Sequence, residues 1–302
     1  MNEPTKINRR NAITLIAGTA GTLAAARVGG AQISPPKLKG RIHHSVSAWC
    51  YNSLLKPGKN QPAKMTFDEF CAACAQMGIE SVELLGPKEW PIVKKAGLTC
   101  AMCNGPSGWG IPKGFNRVEN HDKLVADYEQ FIPIVADAGL PNLICFSGNR
   151  EGLDDQKGIE NCVTGLKRLM RLAEEKKVTL VMELLNSKRN HKDYQADHTA
   201  WGAEVCKRVG SERLKLLYDI YHMQIMEGDV IATIKENIQY ITHFHTGGVP
   251  GRNEIDDTQE LNYTAICRAI ADSGYKGFVG QEFIPKRDPL TSLRQAIQIC
   301  DV

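Results

Sequence analysis

Four ionisable side chains lie near the ends of four apolar segments in the second half of this 302-residue chain. They are Glu183 in VTLVMELLN, Asp219 in LKLLYDI, His245 in YITHFHT and Glu282 in GFVGQEF. Because burying an unpaired charge is costly, such residues need partners, either Lys and Arg side chains or a bound cation. Three carboxylates and one imidazole suit a hard divalent metal ion. We therefore predict Mn²⁺, with Mg²⁺ or Co²⁺ as alternatives and Zn²⁺ less favoured because no thiolate is present.

The same four residues indicate a reaction. Four protein ligands leave two positions free on an octahedral ion, and these suit a carbonyl oxygen and the adjacent hydroxyl of one substrate. The metal would acidify the C–H bond between those groups and stabilise the resulting enediolate. Glu183 and Glu282, from the first and last of the four segments, would flank the substrate as base and acid. The sequence thus predicts an isomerase or epimerase that acts on a keto sugar or a small hydroxy-carbonyl compound.

The elements that must position these residues follow a repeating pattern. Eight apolar segments predict strands, which begin at residues 42, 79, 98, 141, 178, 214, 240 and 277. Amphipathic segments between and after them predict helices, of which KEWPIVKKAG is the weakest. Eight β-α units in about 260 residues predict an α/β fold with a single (β/α)8 TIM barrel, and a doubly wound sheet is the alternative. Active sites of such barrels lie at the C-terminal ends of the strands, where the four residues are found.

His243 and His245 are two residues apart on one predicted strand and therefore share a face. They are separated by about 6.5 Å along the strand, so they occupy different layers of the barrel interior. Only His245 is level with the other three predicted ligands. His243 is predicted to support the site from below by a hydrogen bond to a ligand carboxylate, and direct contact with the metal is the alternative.

Other predicted strand ends and loops carry further candidates. Glu83 ends the second strand and is predicted either to contact substrate or to pair with a neighbouring cation. Asn104 ends the third strand and either lines the pocket or caps a turn. Lys188 follows Glu183 in a loop, where it could attract a carboxylate or phosphate or simply be exposed. Trp49 and Trp109, near strand ends, could form an apolar wall against a sugar or pack in the core.

The N-terminus has a different composition. Arg9 and Arg10 precede a mildly apolar run up to residue 26 and small residues up to residue 31. This pattern predicts a twin-arginine export signal over residues 1–31, with a disordered basic tail as the alternative. Residues 32–41 are a Pro-rich linker and residues 42–302 the barrel domain. The apolar run is too short for a membrane span, so we predict a periplasmic or extracellular protein without one in the mature chain.

Charge and cysteine content limit the partners. A net charge of +3 with 24% charged residues provides no basic stripe for nucleic acid, so a small-molecule partner is predicted. The ten cysteines include CAAC at 71–74 and CAMC at 100–103. The first pair lies in a predicted helix and the second in a predicted strand, so neither forms a zinc knuckle. Most of the thiols are predicted to pack as small apolar groups, and one or two disulfides remain open.

The segments VMELLNS, YDIYHMQIMEGD, HFHTGGVPGRNE, LNYTAI and GQEF resemble the hydroxypyruvate isomerase group of the xylose-isomerase-like TIM-barrel sugar isomerases and epimerases. The resemblance extends over roughly residues 42 to 300. It implies that the four residues named first bind the metal and that the two glutamates transfer the proton. It also implies that His222 and Arg252 hold substrate oxygens, and that the protein forms a homo-oligomer.

Two positions depart from the family pattern. Hydroxypyruvate isomerases have glutamine where this chain has His245, whereas ketohexose 3-epimerases have histidine there. Those epimerases have a substrate-contacting glutamate where this chain has Arg189. The substrate is therefore left open. The alternatives are a lyase that acts on 3-keto-glycosides through the same enolate chemistry, and a non-catalytic metal-containing sugar-binding protein. An endonuclease IV-like zinc enzyme is disfavoured because the second and third predicted strands end without histidine.

Overall fold

The computed structural model of the protein describes residues 37–59 and 61–302. The predicted export signal lies outside these residues, as do the first five residues of the predicted linker. Residues 37–42 form no helix or strand. The backbone N–H of Lys39 donates a hydrogen bond of 2.8 Å to Asp301, so this segment is joined to the C-terminal end of the chain.

Seven parallel strands form one sheet in the order β2-β1-β7-β6-β5-β4-β3. The strands are β1 (His43–Ser47), β2 (Ser81–Glu83), β3 (Asn142–Cys145), β4 (Thr179–Leu184), β5 (Leu214–Asp219), β6 (Ile241–Thr246) and β7 (Phe278–Gln281). Every neighbouring pair is parallel, and consecutive strands are joined by segments that contain helices. This is the connection that a parallel sheet requires.

The sheet closes through the segment predicted as the third strand. Cys103 forms bridges to Leu85 on one side and to Leu143 on the other. Its N–H donates to the carbonyl of Asn142 at 3.0 Å, and the N–H of Leu84 donates to the carbonyl of Met102 at 2.8 Å. The predicted strand is thus present as single bridges instead of a continuous ladder, because the chain bends at residues 101–102. The fold is the predicted (β/α)8 barrel, with seven full strands and one irregular one.

Ten α-helices lie outside or above the barrel among the described residues. They are α1 (Asn52–Leu55), α2 (Phe67–Gln76), α3 (Trp90–Lys95), α4 (His121–Asp137), α5 (Asp155–Lys176), α6 (Thr199–Val209), α7 (Ile220–Met226), α8 (Val230–Asn237), α9 (Tyr263–Asp272) and α10 (Pro289–Cys300). Side-chain caps fix several starts: Thr66 forms a capping box with Glu69, and Asp154 caps α5. None of the helices in the described residues is long and apolar enough to cross a bilayer.

Buried apolar side chains form two separate clusters. The larger one fills the space between the sheet and the helices. The smaller one lies inside the barrel and consists of Met102, Ile144, Val181 and Leu217. All ten cysteines are buried and free, which confirms that they pack as small apolar groups and leaves no disulfide among them. The small inner cluster forms an apolar layer inside the barrel. Glu183 and Asp219 follow Val181 and Leu217 on β4 and β5, nearer the C-terminal ends of those strands.

Candidate active site

The strand register brings the four predicted ligands to one height. Asp219 pairs with His245, whereas Glu183 pairs with Leu217 and His245 pairs with Gly280. Asp219 thus lies two residues beyond Leu217, which pairs with Glu183. Glu282 likewise lies two residues beyond Gly280, which pairs with His245. Tilted barrel strands need such a stagger if their ends are to stay level. One ligand atom from each of the four residues lies within 4.8 Å of all the others. We call Glu183, Asp219, His245 and Glu282 the four-residue cluster.

The four-residue cluster is buried, with no member more than 6% exposed. His245 Nδ1 lies 2.8 Å from Glu282 Oε2 and 3.6 Å from Glu183 Oε1. Arg252 donates from Nη2 to Asp219 Oδ2 at 2.8 Å and also contacts Glu282 Oε2. The alternative prediction, that these residues pair with Lys or Arg side chains, is therefore partly confirmed, because Arg252 pairs with two of the three carboxylates.

The crowding of negative charge perturbs these groups. Burial raises the pKa of Asp219 to about 7, although the Arg252 charge acts in the opposite direction. Burial also raises the pKa of Glu183. For Glu282 burial acts in the same direction, but the charges of Arg252 and His245 prevail and hold its pKa well below the usual range. The pKa values of Asp219 and Glu183 rise while that of Glu282 falls, so the positive charges of Arg252 and His245 stabilise Glu282 more than the other two carboxylates.

The donor set fits a divalent metal ion. His245 Nδ1 is fully buried and has no hydrogen-bond partner, although two carboxylates lie close to it. Once His245 gives up its Nδ1 proton, one nitrogen lone pair and three carboxylates converge within 4.8 Å, as the ligands of a common cation do. A cation would also relieve the repulsion among the carboxylates. The four-residue cluster can therefore hold a metal ion.

Glu83 does not lie where a substrate-binding residue would. It is completely buried below His245, and its Oε1 accepts hydrogen bonds from His243 Nε2 at 2.9 Å and His245 Nε2 at 2.7 Å. Ser45 donates to Oε2 at 2.5 Å. Burial would raise the pKa of Glu83, but the two histidines outweigh it and lower the pKa to about 2. Both oxygens of the carboxylate accept from protein donors. Of the two predictions for Glu83, the structure therefore supports pairing with neighbouring cationic side chains, here two imidazoles, and not a contact with substrate. His243 supports Glu83 instead of a ligand carboxylate.

Lys188 was also expected near the substrate, and the structure places it elsewhere. Its Nζ donates to the carbonyls of Ile225 and Met226 at 3.0 and 2.8 Å. These are the last residues of α7, where carbonyls have no partners within the helix and carry a partial negative charge. Lys188 therefore caps a helix and does not line the cavity at the four-residue cluster.

His222 and Arg252 form an unusual contact at the edge of the four-residue cluster. The backbone N–H of Asn186 donates to His222 Nδ1 at 3.1 Å, so a neutral His222 carries its proton on Nε2. That Nε2 lies 2.7 Å from Arg252 Nη1, which can only donate. Burial and the arginine charge lower the pKa of His222 well below its usual range. Two donor groups therefore face each other at a distance too short for an atom between them, so each would gain an acceptor if a substrate oxygen approached from the cavity side and the two side chains moved apart.

A cavity of about 210 Å³ opens above the four-residue cluster. Its polar lining consists of Trp49, Asn104, Glu183, His191, Arg252 and Glu282. Its apolar wall consists of Leu84, Ile111, Ile144, Phe146 and Leu185. Asn104 thus lines the pocket, and its Nδ2 donates to the carbonyl of Leu84 at 2.8 Å.

Two contributors to the cavity carried weak signals or none in the sequence. Trp49, which follows β1, donates from Nε1 to Glu282 Oε1 at 2.8 Å, so it contacts the four-residue cluster directly. His191 lies in the loop after β4, whose path no periodicity reveals, and it had no signal. Trp109 is not part of the cavity lining. Its Nε1 donates to Asp127 on α4 at 2.7 Å.

Comparisons with known proteins agree with this architecture. The sequence model of the family described as xylose isomerase-like TIM barrel matches residues 71–301. The hydroxypyruvate isomerase of Escherichia coli K12 is 27% identical over 233 residues, which cover 73% of this chain and 88% of the relative.

Solved structures show the same fold. A protein of Brucella melitensis described as AP endonuclease, family 2, superimposes with a TM-score of 0.70 at 24% identity, covering 83% of this chain and 97% of the other. D-psicose 3-epimerase of Clostridium cellulolyticum H10, solved with D-tagatose, gives a TM-score of 0.66 at 17% identity, covering 86% and 100%. These structural similarities show that the fold is shared, and the family model matches most of the barrel. The chain belongs to the xylose isomerase-like TIM-barrel family.

Proposed function

We propose that the protein is a metal-dependent isomerase or epimerase that moves a proton on a keto sugar or a small hydroxy-carbonyl compound. The observation that carries this proposal is the convergence of three carboxylates and one imidazole within 4.8 Å under a cavity. The name of the Escherichia coli relative, an isomerase, supports the reaction class. The preferred ion is Mn²⁺, with Mg²⁺ or Co²⁺ as alternatives, because the ligands are mostly oxygen; Zn²⁺ is less favoured.

The metal and the two glutamates have separate tasks. A bound divalent ion would polarise the substrate carbonyl and stabilise the enediolate formed when a proton is removed. Glu183 on β4 and Glu282 just after β7 both line the cavity, with His245 between them. Each can reach a carbon from its own side, so one carboxylate removes the proton and the other returns one. Trp49 fixes the orientation of Glu282 by its hydrogen bond.

His222 and Arg252 are placed to hold substrate oxygens. The two facing N–H groups described above lack an acceptor, and a substrate hydroxyl or carbonyl oxygen that enters from the cavity beside Arg252 would supply one. Arg252 is further fixed by Nε, which donates to the carbonyl of Glu282 at 3.0 Å. A rigid donor pair beside the glutamates would orient the reacting carbons between them.

The test is the transfer of solvent deuterium. The purified protein, loaded with Mn²⁺ and incubated in D₂O with a panel of keto sugars and hydroxy-carbonyl compounds, should incorporate deuterium at the carbon next to the carbonyl of at least one of them. Nuclear magnetic resonance spectra would show both exchange and product. A Glu183→Gln variant should show neither. Absence of exchange in every compound by Mn²⁺-loaded wild type would contradict the proposal.

The apolar wall of the cavity favours one second candidate. Five apolar side chains line the same cavity as the two glutamates, and the hydroxyl groups of a sugar alone would give them few apolar contacts. A 3-keto-glycoside would place an apolar aglycone against these side chains, and the same proton removal would then lead to β-elimination with release of the aglycone. Release of a free aglycone from such a substrate identifies a lyase, whereas recovery of an intact rearranged glycoside identifies an isomerase or epimerase.

We also propose that the protein is exported through the twin-arginine route to the periplasm or beyond. The support is the Arg9-Arg10 pair followed by a mildly apolar, small-residue run. That route carries folded proteins, so the metal would be bound before export. An Arg9→Lys, Arg10→Lys double variant expressed in the native host should remain in the cytoplasmic fraction. Equal export of the double variant would contradict this assignment.

A further inference from the structure

Glu83 lies beneath His245, on the side away from the four-residue cluster. It is the last residue of β2 and has no exposed surface. Its Oε1 accepts from both His243 and His245, and its Oε2 accepts from Ser45. A buried carboxylate is costly unless its oxygens are bonded, and here donors from β1 and β6 bond both of them. No role in substrate contact explains this arrangement, because the carboxylate faces only protein.

The hydrogen bonds determine which nitrogen of His245 is free. An ionised carboxylate only accepts, so the imidazole nitrogen that faces it at 2.7 Å carries a proton. An imidazole that binds a cation has a single proton, and Glu83 holds that proton on Nε2. The lone pair of His245 is then on Nδ1. This is the nitrogen that lies 2.8 Å from Glu282 and 3.6 Å from Glu183.

Gly280 supplies an independent observation. It lies on β7, in register with His245 on β6 and with Ser45 on β1. A Cβ at this position would lie 2.4 Å from Glu83 Oε1 and 2.9 Å from His245 Cδ2. Any side chain larger than hydrogen would therefore separate the carboxylate from the imidazole. The φ of Gly280 is not positive, so backbone conformation does not require glycine here. Glycine is required because there is no space for a side chain.

We propose that Glu83 is a positioning residue that holds His245 with its proton on Nε2 and its Nδ1 lone pair directed at the four-residue cluster. Ser45 and His243 fix the Glu83 carboxylate, and Gly280 leaves the space for the contact. This inference rests on the proposed metal-dependent function. Hydrogen bonds from a carboxylate to the distal nitrogen of a metal-binding histidine orient the ring and strengthen it as a ligand.

The first experiment measures metal affinity without substrate. Mn²⁺ is titrated calorimetrically into chelator-treated wild type, Glu83→Gln and the control Glu80→Gln. Glu80 pairs with His43 at an exposed position and does not contact the cluster. Glu83→Gln should weaken Mn²⁺ binding about 10-fold to 100-fold, while Glu80→Gln should bind like wild type. Glu83→Gln activity should recover when Mn²⁺ is raised by the same factor, which a general loss of structure would not allow.

A second variant covers the case in which Glu83→Gln does not fold. Gly280→Ala keeps every polar group but forces Glu83 and His245 apart, so it should also weaken Mn²⁺ binding. Wild-type affinity in Glu83→Gln, or in Gly280→Ala if the first variant is unfolded, would overturn the role of Glu83 and leave the proposed function intact. No Mn²⁺ binding by wild type would instead overturn the metal-dependent function, and this inference with it.

Discussion

The indole nitrogen of Trp49 lies 2.8 Å from Glu282 Oε1, so an aromatic residue half-exposed at the cavity mouth bonds directly to a proposed catalytic carboxylate. Trp49→Phe keeps the ring and removes the donor. A hydrogen bond to a charged group contributes about 1.5–3 kcal/mol, so kcat should fall roughly 10-fold to 100-fold with little change in KM. Steady-state kinetics check this. Trp109→Phe, whose indole bonds to Asp127 away from the cavity, is the matched control and should keep wild-type kinetics.

The two glutamates should be separately essential. Glu183→Gln and Glu282→Gln keep the size of each side chain and an oxygen that can still bind a cation, but neither variant can accept a proton from carbon. We expect kcat at saturating Mn²⁺ to fall by about 10²-fold to 10⁴-fold in each variant. The measurement is product formation on whichever substrate shows deuterium exchange. A loss below 10-fold in both variants at saturating metal would remove these residues from the proton transfer.

Lys188 should matter for stability and not for catalysis. Its ammonium group bonds to the last two carbonyls of α7. Lys188→Met keeps the length of the side chain and removes the charge, so the free energy of unfolding should fall by about 0.3–1 kcal/mol. Urea denaturation and steady-state kinetics on the same preparation check both parts. A clear rise in KM would return Lys188 to the substrate-binding residues.

Protonation of Asp197 at low pH should lower the free energy of unfolding. Arg150 bonds to both oxygens of this buried carboxylate, at 2.9 and 3.1 Å, and Ser187 and His198 also contact it. Burial alone would raise the pKa of Asp197, but these bonds outweigh it and lower the pKa from 3.8 to about 2.

A carboxyl group whose pKa falls on folding stabilises the protein above its unfolded pKa and loses that effect as the pH falls toward its folded pKa. Asp197 should therefore contribute about 2 kcal/mol at neutral pH, lost between about pH 4 and pH 2. Urea denaturation at stepped pH should show a shallower decline over this window for Asp197→Asn than for wild type. Parallel declines would show that Asp197 does not titrate with folding.

Much of the barrel and of the four-residue cluster could be predicted from the sequence, because both depend on strand periodicity. Alternation places His243 and His245 on the inner face, and polar residues at strand ends locate the C-terminal rim. That Asp219 and Glu183 lie at the same height could be predicted because both stand near the end of a strand, and all the strands end at the same rim. The third predicted strand was the exception, because a bend leaves it with single bridges.

Contacts between distant segments could not be predicted in the same way. Glu83 and His245 are 162 residues apart, and only the closed barrel shows that they touch. Lys188 and His191 lie in the loop after β4, where no periodicity indicates which side chain turns toward the cavity. Lys188 faces the end of α7 and His191 faces the cavity, so the candidate contact with substrate falls on a residue that the sequence did not single out.

The most direct test of the central claim is a crystal structure of the Mn²⁺-loaded protein with a bound keto sugar, with the anomalous signal of manganese recorded. We predict one anomalous peak bonded to Glu183, Asp219, His245 through Nδ1, and Glu282, with the sugar carbons between the two glutamates. A peak at another position, or no peak from a protein saturated with Mn²⁺, would contradict the claim that these four residues form the metal centre.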